Sequence, residues 1–478
     1  MKTRKTLIFM ASVIILLAIL CVCFPKDGIQ FFGRRLFFPS LEEVFAKDKS
    51  MSVSEKMAML EQSLKIQQTQ DSISSAKDKA FQDTVRFYKN FFATHPAKFY
   101  LPNNDVTFFN SVFLAMDKCK NDSTIVHILH YGDSQIEEDR ITGYLRQKLQ
   151  EQFGGLGAGL LPLVQPISSA AVGQTATENI ERFIIAGMHK NGAGHNRYGA
   201  LGQIVQVTGG GTVSFSARNY SRTFENTKRW TAVRLFAGRN SGRFQVTLST
   251  KNYSSSKTID NQSNTPQMLM FQLNDSVKNS TFSFSGNAEL TAVSLDGDYG
   301  VNVDNIPIRG SSGTFFTQID STSMAFVINH LNVKMIMLEF GGNMMPVINE
   351  RNLHEYMQVL EKQIVYFQKL QPAAKIMLIG PADMSKTVQG KLQTYPILPS
   401  VVDSMRDVAV KNGAAFWNMY AVMGGENSML AWVKERPALA APDYIHFTPK
   451  GADKIAELLY FSLNNYYNYY KILENHKK

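Results

Sequence analysis

The sequence predicts an α/β fold: a three-layer, flavodoxin-like α/β/α domain on a mostly parallel sheet. It is interrupted by an antiparallel β-sandwich and preceded by a transmembrane helix. Three observations predict this. Apolar β-branched runs alternate with amphipathic helical stretches near residues 100–165 and again over 296–470, as in sheets covered by helices on both faces. Between them, residues 210–295 are rich in Ser, Thr and Asn and alternate with period two. An 18-residue uncharged apolar stretch, 7–24, follows the basic segment Met1-Lys-Thr-Arg-Lys5.

That first stretch is just long enough to cross a bilayer core of about 30 Å. Its basic flank places the remainder outside the cytoplasm. No Ala-x-Ala site follows, so residues 1–26 read as an uncleaved signal anchor. Leu20 before Cys21 weighs against a lipid anchor. Residues 27–98 read as a stalk: Met57, Leu60, Leu64 and Ile66 give only a thin apolar stripe, and 67–75 is a polar weak spot.

The globular part begins with residues 99–165. Phe108, Val112, Phe113 and Met116 recur at helical spacing, and 124–131 is a short apolar run read as a buried strand. Gly132-Asp-Ser-Gln135 punctuates it. Ile141, Leu145, Leu149 and Phe153 then mark a helix stopped by Gly154-Gly155. Residues 166–295 form the insert, with Val213-x-Phe215-x-Ala217, Phe244-x-Val246-x-Leu248, Met268-x-Met270 and Phe282-x-Phe284 as apolar positions separated by polar ones. Residues 296–478 resume the first pattern: strands at 334–340, 375–381 and 414–419, helices at 350–370, 399–411 and 449–466.

Composition narrows the function classes. Forty-four per cent hydrophobic and 19% charged residues is ordinary globular usage. A net charge of +10 and a pI near 9.2 favour acidic partners, but no dense Lys/Arg tract or nucleic-acid motif accompanies them. Only Cys119 lies outside the N-terminal apolar run, so the folded part can form no internal disulfide or Cys-x-x-Cys metal pair. No metal or organic cofactor is expected. His189 and His195 lack ligand-spaced partners, and Gly154-Gly-Leu-Gly-Ala-Gly159 lacks the Lys-Ser/Thr of a phosphate loop.

The chemistry-bearing candidates lie at expected strand ends, where open α/β sheets place their sites. Ser134 stands where the strand at 124–131 gives way to a helix, whose start favours a developing oxyanion. A serine nucleophile needs a base, and among nine histidines only His446 has an aspartate three residues earlier, Asp443. Thr448-Pro449 then caps the last helix. Asn343, after the strand at 334–340, offers a side-chain amide, and Gly310 an unobstructed backbone N–H; each is also an ordinary turn former. Asp383 stands at a strand end, where it could line the pocket, although a turn role suffices. Tyr460, Tyr466, Tyr467, Tyr469 and Tyr470 crowd the tail as packing or interfacial residues.

Gly132-Asp-Ser134, Gly310, Gly341-Gly-Asn343 and Asp443-x-x-His446 resemble, in order, the four blocks of SGNH/GDSL hydrolases. The resemblance covers roughly 100–165 and 296–470. It implies Ser134 as nucleophile, Asp443 and His446 completing the triad, and Ser134 N–H, Gly310 N–H and the Asn343 amide as the oxyanion hole. Gln135 replaces the usual Leu, a change given little weight; Met344 follows Asn343 where many members have Asp, and Gly313 is a second choice for the glycine block. The insert resembles the carbohydrate-binding-like module of bacterial peptidoglycan O-acetylesterases. The expected function is thus an extracytoplasmic esterase that removes O-acetyl or similar acyl groups from an envelope glycan. An O-acetyltransferase using the same triad and a non-catalytic glycan-binding protein are the alternatives.

Overall fold

The computed structural model describes residues 2–25, 29–31, 34–36, 53–70, 79–220, 223–260 and 262–476. The chain divides into two compact units, Met1–Ser52 and Val53–Lys478. In the first, helix α1 (Lys2–Cys23) is followed by a small antiparallel pair, Ile29–Phe31 with Arg34–Leu36. Among the described residues no helix is long and apolar enough to cross a membrane. The transmembrane anchor expected at the N-terminus is therefore not supported.

The second unit is built on a six-stranded sheet: β1 (Phe99–Tyr100), β2 (Ile125–Gly132), β3 (Gly300–Pro307), β4 (Val333–Glu339), β5 (Lys375–Ile379) and β6 (Ala415–Trp417), in the spatial order β3-β2-β4-β5-β6-β1. All neighbours are parallel except β1, the antiparallel edge. Successive side chains of a strand point to opposite faces, so each strand feeds two cores. Val126, Ile128, Met335, Met337, Met377, Ile379 and Trp417 pack on one side. Leu129, Tyr131, Ile336, Leu338, Ile376, Leu378 and Phe416 pack on the other. This two-sided burial explains why the strands read as continuous apolar runs.

Helices α2 (Val53–Gln70), α3 (Lys79–Thr94), α4 (Asn110–Lys118), α5 (Thr142–Phe153) and the last helix contribute to the first side. Helices α6 (Ser321–His330), α7 (Glu350–Leu370) and α8 (Leu398–Lys411) cover the second. The last helix, α9 (Pro449–His476), runs ten residues past the expected end because its tyrosines pack inward. Tyr466 is buried among Phe91, Phe92, Phe99 and Phe109, and the Tyr467 hydroxyl donates to Asp117 at 2.7 Å. The stalk expectation over 27–98 differs from what is seen from Val53 onward: Leu60 is fully buried and Tyr88 and Phe91 nearly so. The polar weak spot at 67–75 lies largely outside the described residues.

The insert consists of two antiparallel sheets. One runs Gln267–Val277, Trp230–Asn240, Ala288–Asp296, Gln203–Val207, Ile180–Ile184, with Gly159–Leu161 also paired to Ala288–Asp296. The other runs Ser254–Ile259, Phe244–Ser249, Asn279–Ser285, Gly210–Ala217, Val172–Ala176. Val213, Phe215, Val246, Leu248 and Phe282 meet Val205, Val233, Leu235 and Val293 between them. In Gln267–Val277 the buried pair is Phe271 and Leu273, with Met268 and Met270 half-buried.

The first insert sheet also buries Leu160, Ile204, Phe236 and Ala292 in the same core as Leu129, Tyr131 and Ile306. A polar seam reinforces this junction. His127 of β2 bonds Asp304 of β3 through Nδ1 at 2.8 Å, and Leu160 N–H donates to the same carboxylate at 2.6 Å. Asp296 accepts from Arg234 at 2.5 Å, Asn302 at 2.7 Å and Ser294 at 2.6 Å. All of these groups but Arg234 are essentially fully buried, so each hydrogen bond offsets a desolvation cost.

Candidate active site

Strand β2 ends at Gly132, where a Cβ would lie 2.9 Å from Ile136 Cδ1 and 3.2 Å from Glu339 O, so any larger residue would force Ile136 to shift. Asp133 then accepts Gln135 N–H through Oδ1 at 3.0 Å and turns the chain. Ser134 opens a 3-10 turn, Ser134–Asp139, in which Glu138 and Asp139 have positive φ. A regular helix begins only at Thr142, so the helix-start dipole expected at Ser134 is absent. Its hydroxyl is placed by the turn itself.

The imidazole arrives from the far end of the chain. Asp443 Oδ1 accepts the N–H groups of Ile445 at 2.9 Å and His446 at 3.0 Å, while Oδ2 faces His446 Nδ1 at 2.7 Å. That contact assigns the ring proton to Nδ1 and leaves Nε2 as an acceptor. Ser134 Oγ lies 2.8 Å from Nε2. Burial raises the Asp443 carboxyl, but the His446 ring and the two backbone N–H groups outweigh it and hold the carboxyl below its ordinary value. Asp443 is therefore an anion suited to stabilising an imidazolium.

The expected site residues converge on one cavity of about 560 Å³, lined by Ser134, His446, Gly310 and Asn343. Gly310 lies in the loop after β3 at φ +74°, a conformation L side chains rarely adopt. Gly313, the second choice for that block, packs on Phe340 instead and does not line the cavity. Asn343 sits in the turn Gly342–Met344, with its amide donating to Asp133 Oδ2 at 2.9 Å and Ser311 O at 3.1 Å. Both its N–H groups are thus engaged within the protein. Asp443 stands behind His446. Asp383 is not in the cavity wall: it accepts Thr394 Oγ1–H at 2.7 Å and Met429 N–H at 2.8 Å, fixing the helix Ser428–Lys434. His195 pairs with Glu289 at 2.9 Å in the insert.

Three features escape the motifs. Burial pushes the Asp133 carboxyl up to about 7, Gln135 N–H donation opposing and the charge of Glu339 adding to the rise. Arg309 forms a two-pronged pair with Glu137, tying the Gly310 loop to the Ser134 turn. Gln135 bonds the backbone on either side of His446.

No family model matches the chain, and no curated protein matches it either. Among solved structures, a peptidoglycan O-acetylesterase ("in action, 5 min") aligns over 76% of this chain and 96% of that one, at TM-score 0.62 and 21% identity. This chain shares that esterase's fold. A family two carbohydrate esterase from Cellvibrio japonicus (TM-score 0.24, 9% identity, 63% and 99% covered) and the salicylyl-acyltransferase SsfX3 (0.27, 10%, 62% and 94%) also align. At 96% coverage, the O-acetylesterase match spans nearly all of that protein, so the expectation of an α/β domain with parallel and antiparallel sheets is borne out at the level of fold.

Proposed function

We propose that this chain is a serine esterase that removes O-acetyl or similar acyl groups from a cell-envelope glycan such as peptidoglycan. The observation that carries the reading is the hydrogen-bonded series Ser134–His446–Asp443 opening on a cavity. The fold match to a peptidoglycan O-acetylesterase supports it, and an envelope substrate implies action outside the cytoplasm.

In this reading Ser134 Oγ attacks the ester carbonyl carbon while His446 Nε2 takes its proton, and Asp443 stabilises the resulting imidazolium. The carbonyl oxygen becomes an oxyanion beside Ser134 N–H, Gly310 N–H and the Asn343 amide. Asn343 serves there by releasing Ser311 O, because both of its N–H groups start engaged. Collapse breaks the ester C–O bond, and the sugar oxygen leaves with the His446 proton. Water, deprotonated by His446, then attacks the acyl carbon; the bond to Ser134 Oγ breaks, Oγ takes the proton back from His446, and the acid leaves. No cofactor takes part in this sequence.

The test is acetate release from O-acetylated peptidoglycan by the full chain. Ser134→Ala and His446→Ala are expected to lower kcat by about 10⁴-fold or more, and a fluorophosphonate probe to label wild type but not Ser134→Ala. Absence of both hydrolysis and labelling in folded wild-type protein would overturn the reading. Acetyl appearing on a glycan acceptor rather than as free acetate would mark a transferase.

A further inference from the structure

Serine and imidazole approach from segments 312 positions apart, so something must hold the two loops in register. Most bonds of the His446 loop are internal. Asp443 Oδ1 takes Ile445 and His446 N–H, and Ala441 N–H donates to His446 O at 2.8 Å. These fix the shape of the loop, including Tyr444 at φ +57°, but not its place against Ser134.

Tyr444 O also accepts Ser385 N–H at 3.2 Å, which ties the loop to the segment after β5, and Gln135 supplies the connection to the Ser134 turn. Its Nε2 donates to Ile445 O at 2.7 Å, and its Oε1 accepts Phe447 N–H at 3.3 Å. In extended backbone, the carbonyl before a residue and the N–H after it point to one side, while the residue's own pair points to the other. His446 lies in a bend but shows the same division: its own groups are used within the loop, and its flanking groups are used by one half-buried carboxamide. Among the described residues, the side-chain bonds between 133–139 and 441–448 are these two and the Ser134–His446 contact itself. A leucine at 135 would fill similar volume and offer neither bond.

We propose that Gln135 is a positioning residue that sets the Ser134–His446 distance by bracketing the His446 backbone like a strand partner. The proposal rests on His446 acting as the base. Gln135 itself does not touch the reacting atoms.

The experiment compares full-length wild type, Gln135→Leu and Gln135→Glu in hydrolysis of p-nitrophenyl acetate across pH, with Ser134→Ala and His446→Ala alongside and thermal melts for each. Misplacing a catalytic group by about 1 Å costs about 100-fold. Gln135→Leu is expected to lower kcat by that order with KM unchanged, while remaining folded. Gln135→Glu accepts from Phe447 in either state but donates to Ile445 O only when protonated. Its kcat relative to wild type therefore rises as the pH falls, a response that a purely structural role does not produce. An unchanged kcat in folded Gln135→Leu, or a flat pH ratio for Gln135→Glu, overturns the proposal. If Ser134→Ala and His446→Ala lose activity while Gln135→Leu does not, the positioning role alone fails; if those two alanine variants keep full activity, the esterase reading fails and this role with it.

Discussion

Asp133 illustrates how much one buried carboxyl changes the behaviour of its neighbours. An unfolded aspartate titrates near 3.9, whereas in the native protein the group reaches about 7. Between those values the native state holds a proton that the unfolded chain has released. Stability therefore falls as pH rises through this window and levels off above about 7. Asn at 133 cannot ionise, so the melting temperature of Asp133→Asn should decline less between pH 4 and 7 than that of wild type; parallel curves would contradict the assignment. Residues with a chemical signature were legible at this scale. Ser134, Asp443 and His446 stand out in short motifs whose parts, taken singly, are explained as well by helix capping; only their joint occurrence at strand ends marks them. Gln135 was not legible: its partners are backbone atoms about 310 positions away, and no side-chain pattern announces them.

Among the elements, β2, β4, β5 and β6 could be read as apolar runs because both faces of the parallel sheet are covered. Strand β3 is equally buried yet carries Asn302, Asp304 and Asn305, whose partners lie in α5, the insert and β2. A buried polar strand has no apolar signature, so its position was fixed only by its pairing with β2. Helix α2 shows the converse. Its apolar stripe is thin, but Leu60 is fully enclosed in the main core. Leu60→Ala should cost about 2–5 kcal/mol, as other large-to-small core substitutions do, measured by chemical denaturation of residues 53–478 in the full chain. A free stalk would give no change.

For the molecule as a whole, the sequence correctly separates an α/β scaffold from a β-rich interruption, since periods of two and of 3.6 cannot be confused over such lengths. It does not reveal how closely the two are joined. Asp296 ends the insert-sheet strand Ala288–Asp296, one residue past the expected boundary, and is fully buried, and its bonds reach Arg234 in the insert and Asn302 in β3. Removing Arg234 takes away the guanidinium partner of that buried carboxylate and leaves only Asn302, Ser294 and the nearby His127 ring to hold it, so Arg234→Ala should destabilise by about 3–5 kcal/mol. Calorimetry should show one transition for the scaffold and sandwich together; two resolved transitions would separate them. The N-terminal anchor is the opposite case, where a strong compositional pattern met no support among the described residues.

Met188, in the insert, donates its N–H to Arg309 O at 2.7 Å, beside Gly310, and lines the same cavity as Ser134. Attempts to simplify this protein by excising residues 166–295 would strip a supporting bond from the peptide preceding that glycine. A shortened form should accordingly turn over even a minimal chromogenic ester poorly, rather than merely losing its grip on a polymer.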